Sequence, residues 1–362
     1  MKVTIIAGAR PNFMKVAPII HAIQRARNAG KQISHRLVHT GQHYDEKMSD
    51  TFFRELNIPH PDSNLACGGG SQAEQTASIL VAFEKELLQN PADLVLVVGD
   101  VTSTMACAVV AKKLHTRVAH VEAGIRSFDM SMPEEINRLV TDSITDYFFT
   151  TSETANINLQ KSSVPNERIF FVGNVMIDTL LASKEKFTRP NFFDTLALSA
   201  KNYLVMTLHR PANVDEGTKL KNLVHEIVSN VQGLPVIFPI HPRTARIFHE
   251  LGIEAENLRI VEPLGYLEFN YLVEHAKAVI TDSGGITEET TVMGVPCLTL
   301  RDNTERPETV ELGTNMLVGT NPANVKPALK KLFAGQWKKG QVPPLWDGKS
   351  AERIVETLLR LY

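Results

Sequence analysis

LVLVVGD at residues 94–100 and VAHVE at 118–122 are two apolar runs that each close on an acid, Asp100 and Glu122. Runs of this length, spaced by about one βαβ unit, read as neighbouring parallel strands. In an open parallel sheet, ligands bind in the crevice beyond the carboxyl ends of the strands. The two acids are therefore aimed at a ligand.

Outward from this pair the same rhythm continues. Apolar runs at 3–7, 35–40, 147–150 and 169–172 alternate with amphipathic stretches such as 13–26 and 74–88, the βαβ signature of a doubly wound sheet. Residues 187–202 carry Pro190 and no clear period, and read as part of the linker region between domains. The pattern then restarts with strands at 203–207, 236–240, 258–261, 278–281, 297–300 and 316–318. The fold class expected is α/β: two Rossmann-like, doubly wound parallel-sheet domains, 1–180 and 181–362, facing a deep cleft. The helical stretch 350–361 could pack back on either domain.

Composition agrees with this frame. A chain of 362 residues suits two domains. A hydrophobic fraction of 43%, a charged fraction of 22% and a formal net charge of -2 describe an ordinary globular protein. There is no basic stripe for nucleic acid and no apolar run of transmembrane length. The N-terminal run lacks the long apolar core of a signal peptide. Cys67, Cys107 and Cys297 are scattered, with no zinc-binding spacing, which fits a reducing compartment. The cytoplasm is the expected location.

In the second domain, strand 278–281 runs into Asp282-Ser283-Gly284-Gly285 and then into a helical segment, 286–293. The two glycines let backbone approach a phosphate, and the first amides of the helix, with its dipole, favour the negative charge. Ser283, Gly284 and Gly285 thus read as a diphosphate cradle, and Glu288 or Glu289, a turn further in, suits the hydroxyls of a ribose. A plain glycine-rich helix start with solvated glutamates is the competing reading. No G-x-x-x-x-G-K-[ST] is present, and Gly68-Gly69-Gly70 lacks the G-x-G-x-x-G spacing, so neither an ATPase nor a dinucleotide cofactor is signalled. In the first domain, Arg10 and Lys15 follow the first strand and would face anionic substrate. Met132 to Arg138 starts a helix with Pro133 near its first position. Glu134 and Glu135 there could simply compensate the dipole, with Arg138 as an i,i+4 partner.

GARPNFMKVAP (8–18), GDVTST (99–104), HVEAGIR (120–126), MPEEINR (132–138), TDSGGITEE (281–289) and RDNTERPE (301–308), in that order along the chain, resemble the non-hydrolysing UDP-N-acetylglucosamine 2-epimerases. The resemblance implies a GT-B-like architecture closing on a UDP-sugar, usually as a homodimer, with no metal and no nicotinamide or other cofactor. The implied chemistry breaks the bond from sugar carbon 1 to UDP, removes the carbon-2 proton and holds a glycal. Re-protonation on the opposite face and return of UDP complete the inversion. Asp100, Glu122 and Glu134 match the family's essential acids, and His209 its histidine at the nucleotide phosphates. Arg10, Lys15, Arg306 and the amides after Ser283 match the counter-charge to UDP, and Glu289 is taken as a UDP-binding position. His241 ends another strand on the same side, and Phe269 matches a position associated with uracil, where a core aromatic is an equal reading.

The chain also departs from many relatives. Pro211-Ala212 follows His209-Arg210 where a further polar contact is usual. Gln42 and His43 match part of an activator-site loop, while Asp45 and residues 68–72 do not. The shorter 128–133 segment is similar to relatives acting on UDP-2,3-diacetamido-glucuronate, which keeps that sugar as an alternative substrate. A GT-B glycosyltransferase and a UDP-sugar sensor are further alternatives. The first would need an acceptor, and the second would lack a catalytic acid.

Overall fold

Strands β1 (Lys2–Ala7), β2 (Ser34–His39), β3 (Ser63–Asn64), β4 (Leu94–Val98), β5 (Arg117–Val121), β6 (Tyr147–Thr150) and β7 (Ile169–Phe171) form one parallel sheet in the order β3-β2-β1-β4-β5-β6-β7. The computed structural model describes residues 1–42, 55–214, 216–240 and 242–362. Every residue of β4 is buried, as a central strand covered on both faces requires. The register pairs Val98 with Val121, so the two acid-ended runs do lie side by side.

A second parallel sheet is built from β8 (Leu204–Thr207), β9 (Val236–Pro239), β10 (Leu258–Val261), β11 (Ala278–Thr281), β12 (Cys297–Thr299) and β13 (Asn315–Leu317), in the order β10-β9-β8-β11-β12-β13. Successive residues along β8 and just before it serve opposite faces: Leu204 and Met206 join one apolar cluster, Tyr203 and Val205 the other. That is the period-two alternation of a strand, with both faces covered. The expected fold class, two Rossmann-like α/β domains, is the one observed.

In both sheets the strand order reverses between the first strand and the fourth, at β1/β4 and at β8/β11. This reversal opens a crevice at the carboxyl ends of those strands. It places the candidate residues of each unit.

The chain divides into unit 1, Met1–Ala182 with Pro344–Tyr362, and unit 2, Ser183–Pro343. Two sequence expectations change here. Residues 187–202 are not merely linker, because Phe193 and Leu198 are buried in the core of unit 2, with Phe193 edge-on to Tyr203 at 5.7 Å. The second unit also ends at Pro343 rather than at residue 362, because the terminal segment docks on unit 1. Trp346 is 2% exposed and donates from Nε1 to the Thr151 carbonyl at 2.9 Å. Asp178 accepts from the Ser350 and Ala351 amides at 3.1 and 2.7 Å, satisfying two first-turn donors of the helix Ser350–Leu361. Gly173, at φ +95°, admits the Leu345 carbonyl where any Cβ would collide.

Candidate active site

In unit 1 the crevice is organised by Asn12, on the first turn of the helix Arg10–Asn28. Its Oδ1 accepts from the Gly8 and Ala9 amides at 3.1 and 3.0 Å, and its Nδ2 donates to the Val98 carbonyl at 3.1 Å. One side chain thus ties the turn after β1 to the end of β4. Gly99 follows at φ +70°, and a Cβ there would stand 3.1 Å from Lys15 Nζ and 3.3 Å from Glu122 Oε2. Glycine meets this left-handed backbone without strain and leaves room for both side chains. Glu122 is itself left-handed at φ +71°, a conformation that costs a non-glycine residue energy. Its Oε2 accepts from Lys15 Nζ at 2.5 Å, and the residue is 4% exposed.

Beneath this pair lies a buried ionic chain. His120 bridges Asp142 Oδ1 (Nδ1, 2.7 Å) and the Gly99 carbonyl (Nε2, 2.8 Å). Both ring nitrogens thus face a polar partner, one a carboxylate and the other a backbone carbonyl. Asp142 also accepts the Gly124 amide and pairs with Arg126 at 2.6 Å. Burial would raise the Asp142 carboxyl, but the His120 and Arg126 interactions outweigh it and hold it below the usual range.

Asp100 sits next to Gly99, its side chain 32% exposed, and Oδ2 accepts both Nε (3.0 Å) and Nη2 (2.7 Å) of Arg138. The i,i+4 pairing of Arg138 with Glu134 is therefore not what forms. Arg138 is 3% exposed and divides its guanidinium between Asp100 and Glu135. Glu134 is half-buried in the first turn of the same helix.

Helix Pro133–Ile144 reverses the usual amphipathic arrangement. It buries Glu135, Asn137, Arg138, Thr141 and Asp142 while Ile136 and Leu139 are exposed.

In unit 2 the pairing of Thr281 with Thr207 brings Asp282 beside His209. Asp282 is fully buried and accepts His209 Nδ1 at 2.7 Å, the His209 and Arg210 amides, and Asn213 Nδ2 at 3.1 Å. Burial pushes its carboxyl up, and the His209 interactions and these further donors more than reverse that, so it stays ionised. The imidazole, 60% exposed, is held by its Nδ1 edge. Helix Gly284–Met293 starts after Ser283 with no side-chain cap, so its first amides keep the unpaired donors of a helix N-terminus. Arg301 and Glu305, paired at 2.6 Å, lie 3.9 Å from where a Gly284 Cβ would stand.

Glu289 is buried and accepts the Tyr266 hydroxyl at 2.9 Å. Glu288 pairs with Arg306 Nε. Phe269 packs half-buried against the apolar core. His241, His43 and Asp45, and the side chain of Arg10, lie outside the described residues. The sequence offers no role for Asn12, His120 or Asp142, names Asp282 only as the residue before the cradle, and reads Glu135 only as a dipole-compensating acid. Strand order alone could have signalled Asp282, since β8 and β11 are the first and fourth strands of their unit. Among the described residues no group of three His, Cys, Asp or Glu could hold a metal ion, and no helix is long and apolar enough to cross a membrane.

Burial pushes Glu289 up to about 7, and Glu308, also buried, to about 7 against the pull of Arg306. Both start from 4.5. The folded state therefore binds their protons more tightly than the unfolded chain. Their stabilising contribution is complete below pH 4.5 and is lost as pH rises through about 7. Unit 2 is expected to melt at a lower temperature at pH 8 than at pH 5, and the pair E289Q/E308Q to flatten that slope in calorimetry. An unaltered slope in the double variant would assign it elsewhere.

A family model described as UDP-N-acetylglucosamine 2-epimerase matches residues 25–359. The UDP-N-acetylglucosamine 2-epimerase of Methanocaldococcus jannaschii is 43% identical to this chain, covering 99% of each. The UDP-2,3-diacetamido-2,3-dideoxy-D-glucuronate 2-epimerase of Pseudomonas aeruginosa is 39% identical over 100% of both. Among solved structures, that of the Methanocaldococcus jannaschii UDP-GlcNAc 2-epimerase in complex with UDP-GlcNAc and UDP is similar at a TM-score of 0.88, with 43% identity, 99% of this chain and 100% of that one covered.

Proposed function

Since the chain belongs to the UDP-N-acetylglucosamine 2-epimerase family, we propose that it is an isomerase interconverting UDP-GlcNAc and UDP-ManNAc, supplying precursors for surface polysaccharide. The observation that carries this reading is the pairing of two acids at the carboxyl ends of adjacent strands, Glu122 held by Lys15 and Asp100 by Arg138. Carbon 2 of a UDP-sugar has no neighbouring carbonyl, so its proton is only weakly acidic. Departure of UDP first builds positive charge at carbon 1 and makes that proton removable. Loss of the proton leaves a glycal, and a proton delivered to the opposite face followed by return of UDP inverts the centre. Two or more carboxyl groups around one ring suit such two-faced proton traffic.

Unit 2 is proposed to hold the nucleotide: the amides after Ser283, with Gly284 and Gly285, and His209 at the diphosphate, Glu289 at the ribose and Phe269 at the base. Arg10, Lys15 and Arg306 supply counter-charge, His241 is a further UDP-binding position, and Glu134 is the third acid. His209, oriented by Asp282, presents its other nitrogen for donation to a leaving phosphate. The outward apolar side of helix Pro133–Ile144, with Ile136 45% exposed, supports a homodimer. Three free, buried cysteines fit action in the cytoplasm.

Proton NMR in deuterium oxide with UDP-GlcNAc tests the reaction. UDP-ManNAc carrying deuterium at carbon 2 is expected. An unchanged substrate, with turnover of UDP-2,3-diacetamido-glucuronate in the same assay, would move the assignment to the activity named for the Pseudomonas relative. Release of free sugar would indicate a hydrolysing reaction.

A further inference from the structure

Glu135 neighbours a proposed catalytic acid, yet it is 1% exposed and faces away from solvent. Its carboxylate is fully engaged. Oε2 accepts from the Ser127 amide (2.9 Å), the Ser127 hydroxyl (3.0 Å) and Arg138 Nη1 (2.5 Å), and Oε1 accepts from the Phe128 amide (3.1 Å). The same guanidinium turns its Nε and Nη2 to Asp100. One buried cation is thus shared between a carboxylate that is walled in and another that is partly open. Buried ion pairs return little net stability once desolvation is counted. What a planar, five-donor fork does supply is orientation.

The geometry assigns Glu135 as a positioning residue that, through Arg138, fixes the orientation of the Asp100 carboxylate and sets its proton affinity for the reaction at carbon 2. This rests on the acid–base role proposed above for Asp100. Two effects combine. Glu135 and its Ser127 and Phe128 donors lock the guanidinium, and the locked fork sets where Asp100 Oδ2 stands. Glu135 also takes up part of the cation's charge. A carboxylate facing an uncompensated guanidinium is a poor base, because the nearby positive charge favours its ionised form. Sharing Arg138 leaves Asp100 able to accept a proton as well as to give one.

The test is the pH dependence of epimerisation by three variants, each checked for folding by circular dichroism. E135Q keeps the shape and removes the charge. It is expected to lower kcat by about 10- to 100-fold with KM little changed, and to move the pH profile about one unit towards lower pH. E135D keeps the charge and shortens the reach, so kcat should fall while the profile stays in place. S127A removes one donor to Glu135, strengthens its hold on Arg138, and should move the profile slightly towards higher pH. The other charged groups around the Gly99–Asp100 turn are unchanged in all three: the Lys15–Glu122 pair, His120 with Asp142 and Arg126, and Glu134.

A folded E135Q enzyme whose profile coincides with the wild type overturns the inference, since a merely structural role lowers activity without moving the profile. If E135Q does not fold, an unmoved profile in S127A overturns it equally. A wild type that turns over no UDP-sugar would instead defeat the functional reading itself.

Discussion

D100N is expected to lower epimerisation by about 10²- to 10⁴-fold, the range removed with a general acid or base, while leaving affinity for UDP unchanged. The substitution is close to isosteric, and an asparagine oxygen can still accept from Arg138, so the fork that now meets Asp100 Oδ2 at 2.7 Å survives. What disappears is the capacity to take and return a proton. The groups proposed to hold UDP are mainly in unit 2, so binding should survive. Turnover by NMR and UDP affinity by calorimetry separate the two effects. Retention of more than about a tenth of wild-type turnover would remove Asp100 from the proton-transfer role.

W346A carries the largest expected effect on stability, a loss of about 3–5 kcal/mol, as for other buried aromatic residues reduced to alanine. The indole is among the largest fully buried side chains, and its N–H satisfies the Thr151 carbonyl. Its removal leaves both a cavity and an orphaned acceptor. The loss should appear in urea unfolding of unit 1. An unchanged midpoint would show that the terminal segment is held by the Asp178 contacts and the helix alone.

Much of the fold was legible because its central strands are apolar on both faces. LVLVV at 94–98 needs no partner in view to be read as a buried strand, and the acid that ends it needs only the parallel-sheet rule to be placed. Helix Pro133–Ile144 shows where such reading fails. An amphipathic pattern is ordinarily resolved by sending apolar residues inward, but here the inward face is Glu135, Arg138 and Asp142. A single sequence does not record which face a helix turns to its neighbours when buried charges compensate one another. The same limit hid Asp282, whose role depends on His209, 73 positions away, and the core role of Phe193, whose partner Tyr203 lies beyond an aperiodic stretch. The site motifs were visible as residue types, but the links between them depend on register and were not.

The return of residues 344–362 to unit 1 bears on how the molecule is made. Domains commonly mature in the order in which the ribosome delivers them. Here the first unit lacks its last helix, its buried indole and the partners of Asp178 until all of unit 2 has been synthesised. The inserted unit has its whole sequence available sooner than the one that encloses it. A nascent chain that has emerged only as far as residue 343 would carry all six strands of the second sheet, while the first unit is still open at Gly173, exposing there the apolar surface that chaperones recognise.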